Sequence, residues 1–417
     1  MELLTLEIGP VAHGGHCVSH TPAGQLVFVR HTAPGESVRA RVTKTGRYWQ
    51  ADAVEVLGAS EHRVESAWPA AGPGGIGGAE FAHLSAPYQR QLKAEVITDC
   101  LRRTGSRALA EHVAATVGAV EVAALPTPAE QAGRTRVEAV VSKDGALAMH
   151  KHSSHDLIEL DAMPLAVPQL AQLPVFGTAS PWASRWQPGN RVRLVAPSAS
   201  PVLVGIEGGF YGQDGQPANS TVTEVVSTPL GELTYQLEAG GFWQVQRGAP
   251  EALTATVLEL AKVGEGQQVL ELYSGAGLFS QALGRAVAGS GGKVVTVEGA
   301  KRAVAWARRN CADVPVQALA GAVDPGGIKR AAAKLGRPAD VVVLDPPRVG
   351  ARAAVMRAVC ELSPQRIVLV ACDPAALARD CELAAQEGYW PTDLRAWDLF
   401  PNTHHVESVA LLQKVGG

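Results

Sequence analysis

Several short stretches of this chain place reactive side chains where a strand runs into a loop or helix. In VLVACDPAALARD, Val368–Asp380, a thiol, Cys372, separates a run of strand-forming residues from an Asp-Pro pair that opens a helix. A lone cysteine is most often a small buried hydrophobe. The carboxyl end of a strand in a parallel α/β sheet, however, is where ligands and chemistry collect. Pro374 suits the first position of the following helix and Asp373 its N-cap. Cys372 then lies just outside the helix, where the dipole would lower the thiol's pKa and the Asp373 carboxylate would raise it.

A second stretch, LDPPRVGA, has Asp345 followed by two prolines, which fix φ and offer no backbone donor, so the loop is stiff. Arg348 completes it with a fixed fork of donors, suited to a carbonyl-rich base or a phosphate. In ELYSGAGLFSQAL, Gly275 and Gly277 permit a tight strand-to-helix turn and close approach of a ligand to the backbone. The next strand ends in Glu298, placed to accept hydrogen bonds from a ribose diol. A dinucleotide site would need a third glycine where Ser280 stands. Glu271, just before LYSG, suits a cofactor with a positively charged amino acid end better than a pyrophosphate. These features favour S-adenosylmethionine over a nicotinamide cofactor. In DLFPNTHHVESVALL, His404 and His405 are adjacent rather than four apart and lack a third clustered ligand, so no metal is expected. Glu407 is the candidate general base.

Positioning these residues is the task of three regions with different textures in a chain of 417 residues. Residues 1–58 alternate apolar and polar positions around turns, as a small all-β barrel does. Its basic residues Arg30, Arg39, Arg41, Lys44 and Arg47 lie near Tyr48 and Trp49, a composition compatible with single-stranded nucleic acid. Residues 59–240 follow a Gly/Pro-rich connection, with a helix over 87–105 that can pack on the last region, and otherwise read as β-rich. Residues 241–417 alternate strand and helix signals and predict an α/β, doubly wound, Rossmann-like sheet. Hydrophobic residues make up 46% and charged residues 18%, enough for a sizeable core, and the net charge of −3 does not advertise a nucleic-acid binder. The six cysteines form no CxxC pair, so no zinc or dithiol motif is signalled. Glu2 near the start, and the lack of an apolar run of roughly 18 residues, argue against a secretory leader and a membrane span. The expectation is a cytoplasmic protein, monomeric by default.

Together, FWQVQ (Phe242–Gln246), LYSGAGLFS, VVTVEGA, LDPPRVGA, CDPAALARD and THHVESVALL occur in an order that resembles the S-adenosylmethionine-dependent RNA uridine-5-methyltransferases. The first 58 residues look like that family's TRAM domain, an RNA-binding barrel. The resemblance implies a methyl transfer to carbon 5 of a uridine in tRNA or ribosomal RNA. It implies that Gln244, Tyr273, Glu298 and Asp345 contact S-adenosylmethionine beside Gly275 and Gly277, with Leu278 doing so by packing or through its backbone. Cys372 matches the catalytic nucleophile, Glu407 the general base, and Arg348 a group holding the base or its enolate. Many members carry four cysteines that hold an iron–sulfur cluster; Trp68–Leu84 has none, so no cluster is expected. Asp373 stands where the family usually has asparagine. Two other readings compete: an RNA cytosine-5 methyltransferase, disfavoured by Arg348 after the two prolines, and a catalytically silent RNA-binding protein, disfavoured by the joint presence of Cys372 and Glu407.

Overall fold

The structure is a computed structural model that describes residues 3–125 and 133–415; Glu2 lies outside the described residues. The chain begins with β1 (Leu3–Glu7), β2 (Val11–Ala12), β3 (His16–His20), β4 (Leu26–Arg30), β5 (Ser37–Lys44) and β6 (Trp49–Gly58). They form a six-stranded sheet of order β1-β5-β6-β4-β3-β2. Alternation sets its faces. On β5, Val38, Ala40 and Val42 enter the core while Arg39, Arg41 and Lys44 meet solvent. Arg30 departs from the expected basic surface: although it alternates away from the core-facing Val27 and Val29, it is buried and paired at 2.9 Å with Asp52, its neighbour on β6. Arg39, Arg41, Lys44, Arg47 and Tyr48 remain exposed.

A connection rich in glycine and proline leads to helix α1 (Ala86–Cys100), extended by one wider turn over Leu101–Gly105, then α2 (Arg107–Thr116) and strand β7 (Val122–Ala123). An antiparallel sheet of order β10-β9-β8-β11-β12-β13 follows. It is built from β8 (Arg136–Val141), β9 (Leu147–His150), β10 (Leu157–Glu159), β11 (Arg191–Val195), β12 (Leu203–Ile206) and β13 (Gly209–Tyr211), with the short helix α3 (Pro168–Ala171) between β10 and β11. The hairpin of β14 (Thr221–Thr228) and β15 (Gly231–Glu238) completes this region.

The last part runs α4 (Ala249–Ala261), β16 (Gln268–Leu272), α5 (Leu278–Val287), β17 (Lys293–Glu298), α6 (Lys301–Asn310), β18 (Val316–Ala320) and α7 (Pro325–Leu335). It continues with β19 (Val341–Leu344), α8 (Arg352–Glu361), β20 (Arg366–Ala371), α9 (Pro374–Gln386), β21 (Tyr389–Trp397) and β22 (Glu407–Lys414). Strands β16 and β19 are buried along their whole length, as sheets covered by helices on both faces require. The order is β18-β17-β16-β19-β20-β22-β21-β7, with β16 to β20 parallel to one another and β22 antiparallel to β20.

The expected division at residue 240 is crossed by the chain. Strand β7 pairs with β21 at the edge of the C-terminal sheet, and α1 and α2 pack against α9 and β21. Residues 59–240 are therefore not a single β-rich unit; a two-residue strand takes its place from tertiary packing, which local composition does not carry. Two polar side chains of α1 hold the loop that leads into β22. Gln89 Nε2 donates to Phe81 O and Leu84 O at 3.0 and 2.9 Å, and Asn402 N donates to Gln89 Oε1 at 2.7 Å. Fully buried Lys93 donates to Asp398 at 2.5 Å and to Phe400 O at 3.0 Å.

Candidate active site

The C-terminal sheet reverses its winding at β16: β17 and β18 extend it to one side and β19 and β20 to the other. Such a switch point opens a crevice outside the carboxyl ends of the strands. Leu272 pairs with Leu344, Leu344 with Leu369, and Ala371 with Ser408. The residues that follow these positions, Tyr273, Asp345 and Cys372, therefore emerge along one edge, with Glu407 at the start of β22.

Among the six cysteines, Cys372 is the one that reaches the surface; the others are buried. Burial pushes its thiol up to about 12, reinforced by the nearby Glu407 and Asp345 carboxyls and opposed by the Arg348 guanidinium. The contest expected between helix dipole and Asp373 is thus overridden by partial desolvation and two other acids. Burial alone raises Asp345 to about 7. Glu407, 4% exposed, is held well above the usual carboxylate range by burial and then by Asp345. Like charges in a desolvated recess disfavour one another's ionised forms, so this group is short of positive charge. Arg348, on the exposed loop, supplies some of it, and its Nη2 donates to His405 Nε2 at 2.5 Å. Burial, with help from His404 and Arg348, depresses His405 to about 3, so its ring is neutral. His404 is engaged by Glu80, which also accepts from the His404 backbone N–H at 2.9 Å. Both histidines thus hold the loop ahead of Glu407.

Toward β17, the turn after β16 carries Gly275 and Gly277 at φ +54° and +93°, conformations that favour glycine. A Cβ at Gly275 would meet nothing within 4 Å, so this part of the turn borders open space. Glu298 accepts from Gly275 N at 3.1 Å and Ala300 N at 2.7 Å, which ties the end of β17 to the glycine turn. Glu271 differs from expectation. It is 1% exposed, accepts the Ser280 hydroxyl at 2.5 Å and is raised to about 8 by burial. A carboxyl held neutral inside the sheet does not offer charge to a ligand, and Ser280 stands in the third-glycine position as its donor. Asp345, with burial raising it and no donor offsetting that rise, is the better match for a cationic amino acid end.

The remaining expected cofactor residues are more dispersed. Tyr273 has φ +65°, and burial raises its hydroxyl, with Asp380 adding to the rise and Arg352 opposing it. Leu278 is a core residue at the start of α5, and its carbonyl accepts from Tyr235 Oη at 2.8 Å. Gln244 lines a recess of about 120 Å³ with Glu224 and Arg247, whose walls hold none of the other expected cofactor contacts. The glycine turn beside open space, the carboxylate of Glu298 and the uncompensated Asp345 fit a ribose-bearing cationic cofactor such as S-adenosylmethionine.

Two bracing residues escaped the reading of the sequence. Asp380, 1% exposed on α9, accepts from Ala351 N and Arg352 N at 2.6 and 3.2 Å and so fixes the loop that carries Arg348. Its place at the end of CDPAALARD was a usable signal. The other is His13, whose Nε2 lies 2.8 Å from Asp373 Oδ2. No local pattern announces a contact across 360 positions. The segment Trp68–Leu84 is held by apolar packing: Trp68, Ala71, Ile76 and Ala79 join the core of the antiparallel sheet, and Phe81 and Leu84 the core under the barrel. Among the described residues no group of three or more His, Cys, Asp or Glu side chains is arranged to hold a metal ion.

A parallel sheet with a glycine turn after its first strand, an acid closing the second and an antiparallel strand inserted beside β20 defines a class I S-adenosylmethionine-dependent methyltransferase fold. Comparison with known proteins narrows this. Residues 2–51 match the TRAM domain and residues 337–415 the tRNA (Uracil-5-)-methyltransferase family. The chain is 37% identical over 435 residues to an uncharacterized RNA methyltransferase of Streptomyces avermitilis, covering 98% of this chain and 97% of that one. It is 31% identical over 459 residues to the 23S rRNA (uracil(1939)-C(5))-methyltransferase of Alkalilimnicola ehrlichii, covering 99% and 97%. The crystal structure of Pyrococcus abyssi tRNA (uracil-54, C5)-methyltransferase with S-adenosyl-L-homocysteine shares the fold, with a TM-score of 0.69, 20% identity and coverage of 97% and 99%. The chain belongs to the S-adenosylmethionine-dependent RNA uracil-5-methyltransferase family, with RNA as its substrate class. Among the described residues no helix is long and apolar enough to cross a membrane.

Proposed function

We propose that this enzyme methylates carbon 5 of a uridine in ribosomal RNA or tRNA through a covalent bond from Cys372 to carbon 6 of the base. The observation that carries this reading is the meeting of the one surface-reaching cysteine with Asp345, Arg348 and Glu407 at the carboxyl edge of the sheet. Ribosomal RNA comes first among candidate substrates, on the strength of the 31% identical relative.

Carbon 5 of uracil is a poor nucleophile until a thiolate adds to carbon 6 and the double-bond electrons move onto carbon 5 and the adjacent carbonyl. Arg348 stabilises both the thiolate and the negative charge that develops on that oxygen. S-adenosylmethionine supplies an electrophilic methyl group when bound, and Asp345 and Glu298 hold its charged and ribose ends. Glu407 then takes the proton from carbon 5. Those electrons re-form the ring double bond, the carbon–sulfur bond breaks, and the Cys372 thiolate is regenerated. The raised proton affinity of Glu407 suits it to this last step. A uridine in structured RNA must leave its stack to reach the crevice.

The test is to incubate the protein with methyl-labelled S-adenosylmethionine and unmodified 23S ribosomal RNA or tRNA transcripts, then digest to nucleosides. Label in 5-methyluridine is expected. Label in 5-methylcytidine, or RNA binding with no transfer, overturns the proposal.

A further inference from the structure

We propose that His13 is a positioning residue for the nucleophile: from the N-terminal barrel it holds and neutralises the carboxylate next to Cys372. This rests on the reading of Cys372 as the nucleophile. His13 sits in the turn between β2 and β3, followed by Gly14 and Gly15 at φ +94° and +77°. A Cβ on Gly15 would lie 2.7 Å from the Cβ of His404, so glycine lets this turn press against the loop ahead of Glu407. The same turn therefore touches both loops that carry the reacting side chains.

Asp373 divides its carboxylate between two tasks. Oδ1 accepts from Ala376 N at 2.8 Å and caps α9, and Oδ2 meets His13 Nε2 at 2.8 Å. An asparagine would perform the first task equally well. What aspartate adds is a negative charge one residue along the chain from a thiol that burial, and then Glu407 and Asp345, already push toward its protonated form. His13 cancels that charge and fixes the side chain through a charge-assisted bond. The hydrogen bond to Asp373 raises His13, and bonds from His13 and Ala376 outweigh burial to keep Asp373 below its usual range. The nucleophile's loop is thereby matched electrostatically to the RNA-binding barrel.

The experiment compares single-turnover methyl transfer to 23S ribosomal RNA transcript in wild type, His13→Ala, Asp373→Asn and the double variant. His13→Ala should slow transfer about tenfold, the loss of thiolate that one added like charge causes, with KM for S-adenosylmethionine unchanged. Asp373→Asn should stay near the wild-type rate, and adding it to His13→Ala should restore most of the loss. A double variant as slow as His13→Ala means the contact only docks the barrel, and a His13→Ala rate equal to wild type means it does nothing; either overturns the positioning role. Cys372→Ala run alongside separates the two readings. Transfer surviving in that variant removes the nucleophile and the positioning role with it. Transfer lost there, with His13→Ala unimpaired, removes only the positioning role.

Discussion

The barrel and the catalytic crevice use charge in opposite ways. On the barrel, Arg39, Arg41, Lys44 and Arg47 stand in solvent on β5 and the turn after it. Their charges reach outward and are screened by salt. In the crevice, Asp345, Glu407 and Cys372 are desolvated and biased toward their neutral forms. A cation placed beside them would favour their charged forms. On the proposed function, this difference gives attraction for RNA to one region and chemistry to the other, so each can be broken without breaking its counterpart.

The largest effect is expected at the crevice. Cys372→Ala should lower methyl transfer by at least about 10⁴-fold, the scale of losing a covalent nucleophile, with cofactor affinity in equilibrium binding unchanged. Glu407→Gln should slow turnover by roughly 10²–10⁴-fold while leaving thiol addition possible, so a protein–RNA adduct should accumulate on denaturing gels. Lys93→Ala tests the brace between α1 and the stretch that leads into β22. Stranding Asp398 inside should cost about 3–5 kcal/mol, read as a shifted urea midpoint.

Smaller effects sharpen the contrast. Alkylation of Cys372 in the ligand-free protein should climb about tenfold per pH unit from pH 7 to 10 without a plateau, because only the thiolate reacts and the thiol is pushed up to about 12. A plateau below pH 9 would contradict the desolvated crevice. Replacing Arg41, Lys44 and Arg47 by alanine should weaken RNA binding and flatten its salt dependence by roughly 0.7 per lost phosphate contact, with single-turnover rate at saturating RNA unchanged.

What was legible in the sequence was what local chemistry determines. Asp373 caps α9 as read, since an N-cap needs only its neighbour three residues on. The strand ends bearing Asp345 and Cys372 were visible because fully buried parallel strands are uninterrupted apolar runs. What failed depended on partners elsewhere. Arg30 looked like part of a basic surface until Asp52 on the neighbouring strand claimed it. Glu271 looked like a ligand for a cation until Ser280 turned it inward. The capture of β7 by the C-terminal sheet and the contact of His13 with Asp373 have no local signature at all.

The most direct test of the account is a trap at the sulfur itself. RNA transcript containing 5-fluorouridine offers no removable proton at carbon 5, so the adduct formed after methyl transfer cannot resolve. Incubation with S-adenosylmethionine, trypsin digestion and mass spectrometry should find nucleotide on the peptide spanning residues 367–379, attached at Cys372. Adduct on another residue, or 5-methyluridine made from ordinary RNA by a protein that forms no adduct with the fluorinated one, would contradict it.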